Sequence, residues 1–206
     1  MHLFHLDWFV DRDGYRIISR RGEDFIVGNG GELDHTEPFK IPGLCRRLAA
    51  CEKTPDGALG FVSTYGPLFG PVSDRVANVI NAIGIAQDLY TMAHLKQWNS
   101  IAGLLEESML ADKLSRTGGV GRLSVVFAVG SEKQRPQLNL VPSTLFDAAL
   151  VQLLEEISSE RPLRKCKRPG CPEWFTYGPG TKHRETAFYC SSKCQKAHEY
   201  QRRKES

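Results

Sequence analysis

Four cysteines near the C-terminus constrain this chain more than any other feature. Cys166 and Cys171 enclose four residues, eighteen more follow, and Cys190 and Cys194 then enclose three. Two close pairs separated by a short span are the pattern of a four-cysteine zinc site. Zinc takes four tetrahedral ligands, and each close pair supplies two sulfurs from one tight piece of chain. A tail of about forty residues buries too little apolar surface to fold unaided, so a metal would stabilise it as well as bind to it. Four thiolates leave no open coordination position, which marks the expected Zn2+ as structural. The competing readings of the spacing are four unrelated buried thiols or two disulfides.

Local signals around the cysteines predict how the tail folds. Pro169-Gly170 inside the first pair favours a tight turn with positive φ at Gly170. Ser191 or Ser192 can cap a helix running through Ala197, Tyr200 and Arg203. Cys190 then lies just before its first turn and Cys194 inside it, where the helix N-terminus stabilises thiolate charge. Residues 174–177 and 186–189 read as short strands on either side of Gly178-Pro179-Gly180. The predicted order is knuckle, hairpin, helix, a treble-clef-like finger. His183 and His198 are available as substitute ligands, although the cysteines already complete the shell. Trp174, Phe175 and Tyr177 are able to stack on bases, and the preferred reading makes them the finger's miniature core.

The rest of the chain reads as a mixed domain. With 206 residues, 41% hydrophobic and 25% charged, the protein suits one medium soluble domain plus a small appendage. Residues 2–10, 15–19 and 25–27 suggest strands, with a hairpin turn at Asp13-Gly14. A short helix is expected over 42–51 and a loop over 57–71. Ser73 or Asp74 is positioned to cap a helix carrying Val76, Val79, Ile80 and Ile83, which extends through 89–95. A second helix carries Ile101, Leu104, Leu105 and Met109 and stops at Gly118-Gly119. Strands follow over 122–129 and 137–141. Ser143 opens a third helix, with Leu145, Phe146, Ala149, Leu150, Leu153, Leu154 and Ile157 on its apolar face, ending before Pro162. The fold class is α+β. A mixed helix and antiparallel-strand domain occupies 1–160, and the zinc finger with its basic helix occupies 161–206.

Charge is divided between these parts. Residues 161–206 hold twelve Lys or Arg against four Asp or Glu, a net +8, which leaves fifteen against twenty for residues 1–160. Lys193, Lys196, Arg202, Arg203 and Lys204 crowd the last helix, and Lys182 and Arg184 flank His183 in the loop before it. Such clusters attract phosphate through counterion release, so these seven residues are the candidate nucleic-acid contacts. At about 100° per residue, Lys196 and Arg203 point the same way, opposite the zinc ligands. The alternatives are a salt-bridge ladder through Glu199, and counter-charge for the tetrathiolate from Arg164, Lys165 and Lys167.

At Arg164-Lys165-Cys166, Cys171-Pro172, Trp174-Phe175 and Tyr189-Cys190-Ser191 with Cys194, the tail resembles the CGNR zinc-finger family of bacterial proteins. The resemblance covers roughly the last forty residues. It implies an N-terminal ABATE-type α+β domain joined by a helix directly to the finger. It also implies a transcription regulator whose finger contacts DNA and whose body senses a small molecule or protein partner. Where the family carries Gly-Asn-Arg after the last cysteine, this chain has Gln195, Lys196 and Ala197. RNA binding and a pure protein-interaction module remain as alternatives.

Other motifs point to no catalytic chemistry. The chain has no nucleophile elbow and no His-Glu-x-x-His, so an enzyme is not expected. Gly28, Gly30 and Gly31 lack the full phosphate-loop spacing and read as a loop. Asp7, Asp11, Asp13 and His35 are better explained by a turn than by a metal or acid–base set. Cys45 and Cys51 lie about 240° apart on a helix and do not pair. The first ten residues lack a basic segment followed by an apolar one, and no run of about eighteen apolar residues occurs, so the expectation is a cytoplasmic protein without membrane partners.

Overall fold

The computed structural model describes residues 6–97, 99–101, 124–128, 137–158 and 162–205. Strand β1 (Trp8–Asp11) pairs antiparallel with β4 (Leu33–Thr36). Strands β2 (Tyr15–Arg20) and β3 (Glu23–Gly28) form a hairpin, and β5 (Ser73–Arg75) adds to β3, giving the order β2-β3-β5. Arg21 and Gly22 turn the hairpin with φ of 53° and 80°, the left-handed pair that a two-residue type I′ turn needs.

The hairpin is therefore not at Asp13-Gly14, where it was expected. The buried Asp11 carboxylate accepts the N–H groups of Asp13, Gly30 and Gly31, and it passes the chain from one sheet to the other. A Cβ on Gly28 would collide with Asp11 Oδ2, which explains a glycine there. The N–H groups of the glycine-rich loop are thus used by an internal carboxylate. Asp7 accepts instead from His35 Nε2, at 2.6 Å, across the β1–β4 pair.

The helices are α1 (Leu44–Ala49), α2 (Pro55–Tyr65), α3 (Val76–His94) and α4 (Leu145–Ser158). Helix α2 replaces the loop expected over 57–71. Thr54 caps it by accepting the Gly57 N–H, and Pro55 occupies the first turn, where its missing donor costs nothing. Two helix starts also differ from expectation. Asp74 does not cap α3: its carboxylate turns back to accept the Leu68 and Phe69 N–H groups, while Ser73–Arg75 joins the sheet. At α4 the cap is Thr144, not Ser143. Thr144 Oγ1 accepts the Asp147 N–H, and the Asp147 carboxylate accepts from the Thr144 backbone and hydroxyl, a reciprocal box.

Strands β6 (Ser124–Ala128) and β7 (Gln137–Val141) pair antiparallel, as expected. Beyond the buried Ile101, the second expected helix and its stop at Gly118-Gly119 lie outside the described residues. Helix α3 is the spine of the core. Val79, Ala82, Ile83, Ala86, Leu89, Tyr90 and Ala93 recur at helical spacing and are buried against Leu44, Leu48, Phe61, Val62, Leu145, Phe146 and Leu153. One buried polar side chain staples this packing. Gln152 on α4 accepts the Leu44 N–H and donates to the carbonyls of Pro38 and Ile41. Among the described residues, no helix is long and apolar enough to cross a membrane.

The tail follows with β8 (Leu163–Lys165) antiparallel to β9 (Trp174–Thr176), then α5 (Ser192–Glu205). The second strand expected over 186–189 does not form. The partner of β9 is β8, upstream of the first cysteine, so the first cysteine pair sits at the end of this hairpin.

Candidate metal centre

The knuckle is a short turn with a clear local cause. Arg168-Pro169-Gly170-Cys171 closes with the Cys171 N–H donating to the Arg168 carbonyl at 3.1 Å, and Gly170 has φ +72°. Proline at the second position and a left-handed glycine at the third define a type II turn, as the sequence predicts. The Cys166 N–H donates to the Glu173 carbonyl at 2.9 Å, closing the β8–β9 hairpin around the turn. Cys166 and Cys171 thereby face the same point.

The second pair arrives on α5. Ser191 is its cap, with Oγ accepting the Cys194 N–H at 3.2 Å, so Cys190 precedes the first turn and Cys194 lies within it. Tyr189 hydrogen-bonds His198 Nδ1 at 3.0 Å and ties the approach to the helix. The four sulfurs lie within 4.8 Å of one another. The Cys171–Cys190, Cys171–Cys194 and Cys190–Cys194 separations are 3.8, 3.7 and 3.5 Å. Zinc–sulfur bonds of about 2.3 Å set the edge of a regular tetrahedron at about 3.8 Å. The donor set thus fits one zinc-sized soft ion in both chemistry and spacing. These separations are far beyond a disulfide bond, and all four thiols are free.

The surroundings act on the thiols in opposite directions. Burial pushes the Cys171 and Cys190 thiols up. Burial also opposes charge on Cys194, but hydrogen bonds from Ser191 and the neighbouring thiols outweigh it and bring that thiol down. Cys194 also sits at the helix N-terminus, where negative charge is favoured. Neither histidine joins the group. His198 is held by Tyr189, and the His183 ring rests 4.8 Å from Phe175, where burial and Lys182 keep it below its ordinary value.

Adjacent residues of β9 face opposite ways, following the two-residue period of a strand. Phe175 packs with Cys166, Cys171 and Cys194, whereas Trp174 joins the core of the rest of the chain. The Trp174 ring stacks on Tyr90 at 5.9 Å and meets the edge of His94 at 5.5 Å. His94 Nδ1 donates to the Leu163 carbonyl at 3.0 Å; a carbonyl only accepts, so the proton is on Nδ1. Behind this seam the Tyr90 hydroxyl donates to Glu156, which also pairs with Arg46 at 3.1 Å. Phe175 is thus in the finger's miniature core with Tyr177 against it, as the sequence suggests, whereas Trp174, expected there too, belongs to the core of the body because the strand turns its ring to the other face.

The seven basic candidates are all exposed: Lys182, Arg184, Lys193, Lys196, Arg202, Arg203 and Lys204. On α5 the covered side carries Cys194, Ala197 and His198, so Lys196 and Arg203 lie on the solvent side as the helical spacing predicts. Glu199 accepts from Gln195 at 3.0 Å, and among the described residues no ion pair joins it to Lys196 or Arg203. The Lys204 ammonium sits 5.0 Å over the Tyr200 ring. Lys182 and Arg184 lie in the loop ahead of α5.

Arg164 has a role that charge alone did not reveal. Its guanidinium lies 3.9 Å from the centre of Tyr177 and 4.9 Å from that of Phe188, and it donates to the carbonyls of Glu185 and Ala187. It clamps the loop that would otherwise be the missing strand. Phe188 went unnoticed in the sequence; the only signal was an aromatic residue between the two cysteine pairs. Compared with models of known protein families and with curated proteins, the chain matches none.

Proposed function

We propose that the four cysteines hold a structural zinc ion and that the finger built on it is the nucleic-acid-binding part of a DNA-binding transcription regulator. The single observation that carries this reading is the solvent face of α5. Lys193, Lys196 and Arg203 are exposed there, among the described residues none of the three is ion-paired, and Lys196 and Arg203 lie opposite the side that carries Cys194. Charges left solvated on a rigid helix are available to exchange counterions for phosphates. Zinc here would supply folding energy and orientation, with its shell closed by Cys166, Cys171, Cys190 and Cys194. The remaining α+β body is assigned to sensing a ligand or partner, as the resemblance to CGNR proteins implies. The Trp174–Tyr90 seam provides a contact through which the two parts are able to influence each other.

The test is duplex DNA binding followed by fluorescence anisotropy between about 50 and 200 mM salt. The expected result is measurable affinity that falls steeply with salt. Lys196→Ala with Arg203→Ala should flatten the log–log slope by about 2, roughly one per lost phosphate contact. Absence of binding at low salt, or an unchanged slope in the double variant, replaces this reading with a zinc-stabilised protein-interaction module. Stronger binding to duplex RNA than to duplex DNA replaces it with an RNA-binding finger.

A further inference from the structure

At the four-cysteine site, with Cys190 in its wall, lies a groove of about 490 Å³. Pockets of about 300–1,000 Å³ accommodate ligands the size of a nucleotide. Lys182, His183, Phe188, Tyr189, Ser191 and Gln195 contribute to its walls. Phe188 remains 51% exposed. It is not a loose side chain. Tyr177, the Arg164 guanidinium and Phe188 form a layered stack, and Arg164 is itself fixed by two carbonyls. The Lys167 N–H donates to the Phe188 carbonyl at 2.9 Å, which fixes the backbone beneath the ring.

We propose that this groove takes an unpaired nucleobase, stacked on Phe188, so that the finger engages single-stranded or locally opened nucleic acid. The inference rests on the nucleic-acid reading above and names a surface distinct from the α5 face. Three features favour this occupant. The ring is a rigid aromatic platform, and base stacking on such platforms is tolerant of sequence. Cations surround it: the Lys167 ammonium lies 5.5 Å from the ring centre, and Lys182 lines the same groove, so phosphates on either side of a stacked base meet positive charge. The polar rim, with Gln195 and Ser191, offers hydrogen bonds to a base edge. The N-terminus of α5 is not invoked for phosphate, because its dipole faces the cysteine thiolates. A duplex keeps its bases stacked inside and cannot use Phe188 in this way.

The experiment uses the full zinc-loaded chain with a labelled single-stranded oligonucleotide and its duplex, at one low salt concentration, for wild type, Phe188→Ala and Phe188→Trp. Phe188→Ala should weaken single-strand binding about tenfold, the usual loss for one stacked base. Duplex affinity and zinc content should stay within twofold of wild type. Phe188→Trp should restore single-strand affinity, and its fluorescence should be quenched on binding more than that of the wild-type tryptophans. If Phe188→Ala binds single strands as wild type does, or Phe188→Trp shows no added quenching, the stacking platform is overturned and the α5 reading stands. If wild type binds neither oligonucleotide, both readings fall.

Discussion

Truncating Trp174 and Phe175 in turn separates the two cores that meet at β9. Trp174 is 6% exposed and packed on Tyr90 and His94. A buried tryptophan removes about 200 Å² from water, worth about 5 kcal/mol at about 25 cal/mol per Å². A compact unfolded chain and the methyl group retained by alanine reduce this to about 3–4 kcal/mol, within the range measured for large aromatic truncations. For a chain of this size that corresponds to a fall in Tm of about 10 °C. Because Trp174 packs with α3 and not with the sulfurs, zinc content should remain one per chain. Phe175→Ala should behave oppositely. Its ring, 3% exposed, packs on Cys166, Cys171 and Cys194. With zinc held by the four cysteines as proposed, folding of the finger and metal binding would be one equilibrium, so a loss of about 3 kcal/mol there should weaken zinc about a hundredfold. The assay is thermal unfolding of the body by near-ultraviolet circular dichroism, beside competition for zinc with a chromophoric chelator. If Trp174→Ala releases zinc while leaving the Tm unchanged, or both variants move both readouts equally, the division of β9 into a body face and a metal face is wrong.

Two further outcomes follow from the same structure. Stripping zinc with a chelator at neutral pH should cost the helical signal of the 14 residues of α5 while the α1–α4 core keeps its cooperative transition; acid should do the same, because protons compete for thiols that burial already holds high. Loss of all helical signal on chelation would show that the body depends on the metal, contrary to its larger core. Asp74, whose carboxyl burial raises from 3.8 to about 6, binds a proton in the folded state before it does so unfolded. Its contribution to stability therefore falls as pH rises through that window, and Asp74→Asn should remove this component from a series of urea midpoints. An identical pH slope in wild type and Asp74→Asn refutes the assignment.

The local parts of the finger could be read before the fold was known. Arg168-Pro169-Gly170 specifies a type II turn from backbone preferences alone, and Ser191 specifies a helix start through a bond spanning three residues. The four-sulfur cluster adds a long-range constraint that is still legible, because cysteines recur at the spacing of a metal site. Helix α3 was legible for a similar reason: its apolar residues repeat with the helical period. Helix α2 was missed because Gly57, Gly60 and Gly66 outweighed the Thr54-Pro55 cap, although only Gly66, with φ +87°, ends the helix.

What the sequence could not decide is pairing and direction. Asp74 resembles a helix cap, and whether it caps α3 or grips the chain at Leu68 and Phe69 depends on β5 docking against β3. Residues 186–189 have strand-like composition, yet β9 pairs with β8, and the Arg164 clamp holds the other segment in place. A two-residue period says that Trp174 and Phe175 face opposite ways without saying which faces the metal. The cysteine spacing alone determined that this chain carries a four-sulfur site. Only the packing of α3 against β8 and β9 decided that the site is joined to the body through Trp174, because those contacts join residues distant in sequence.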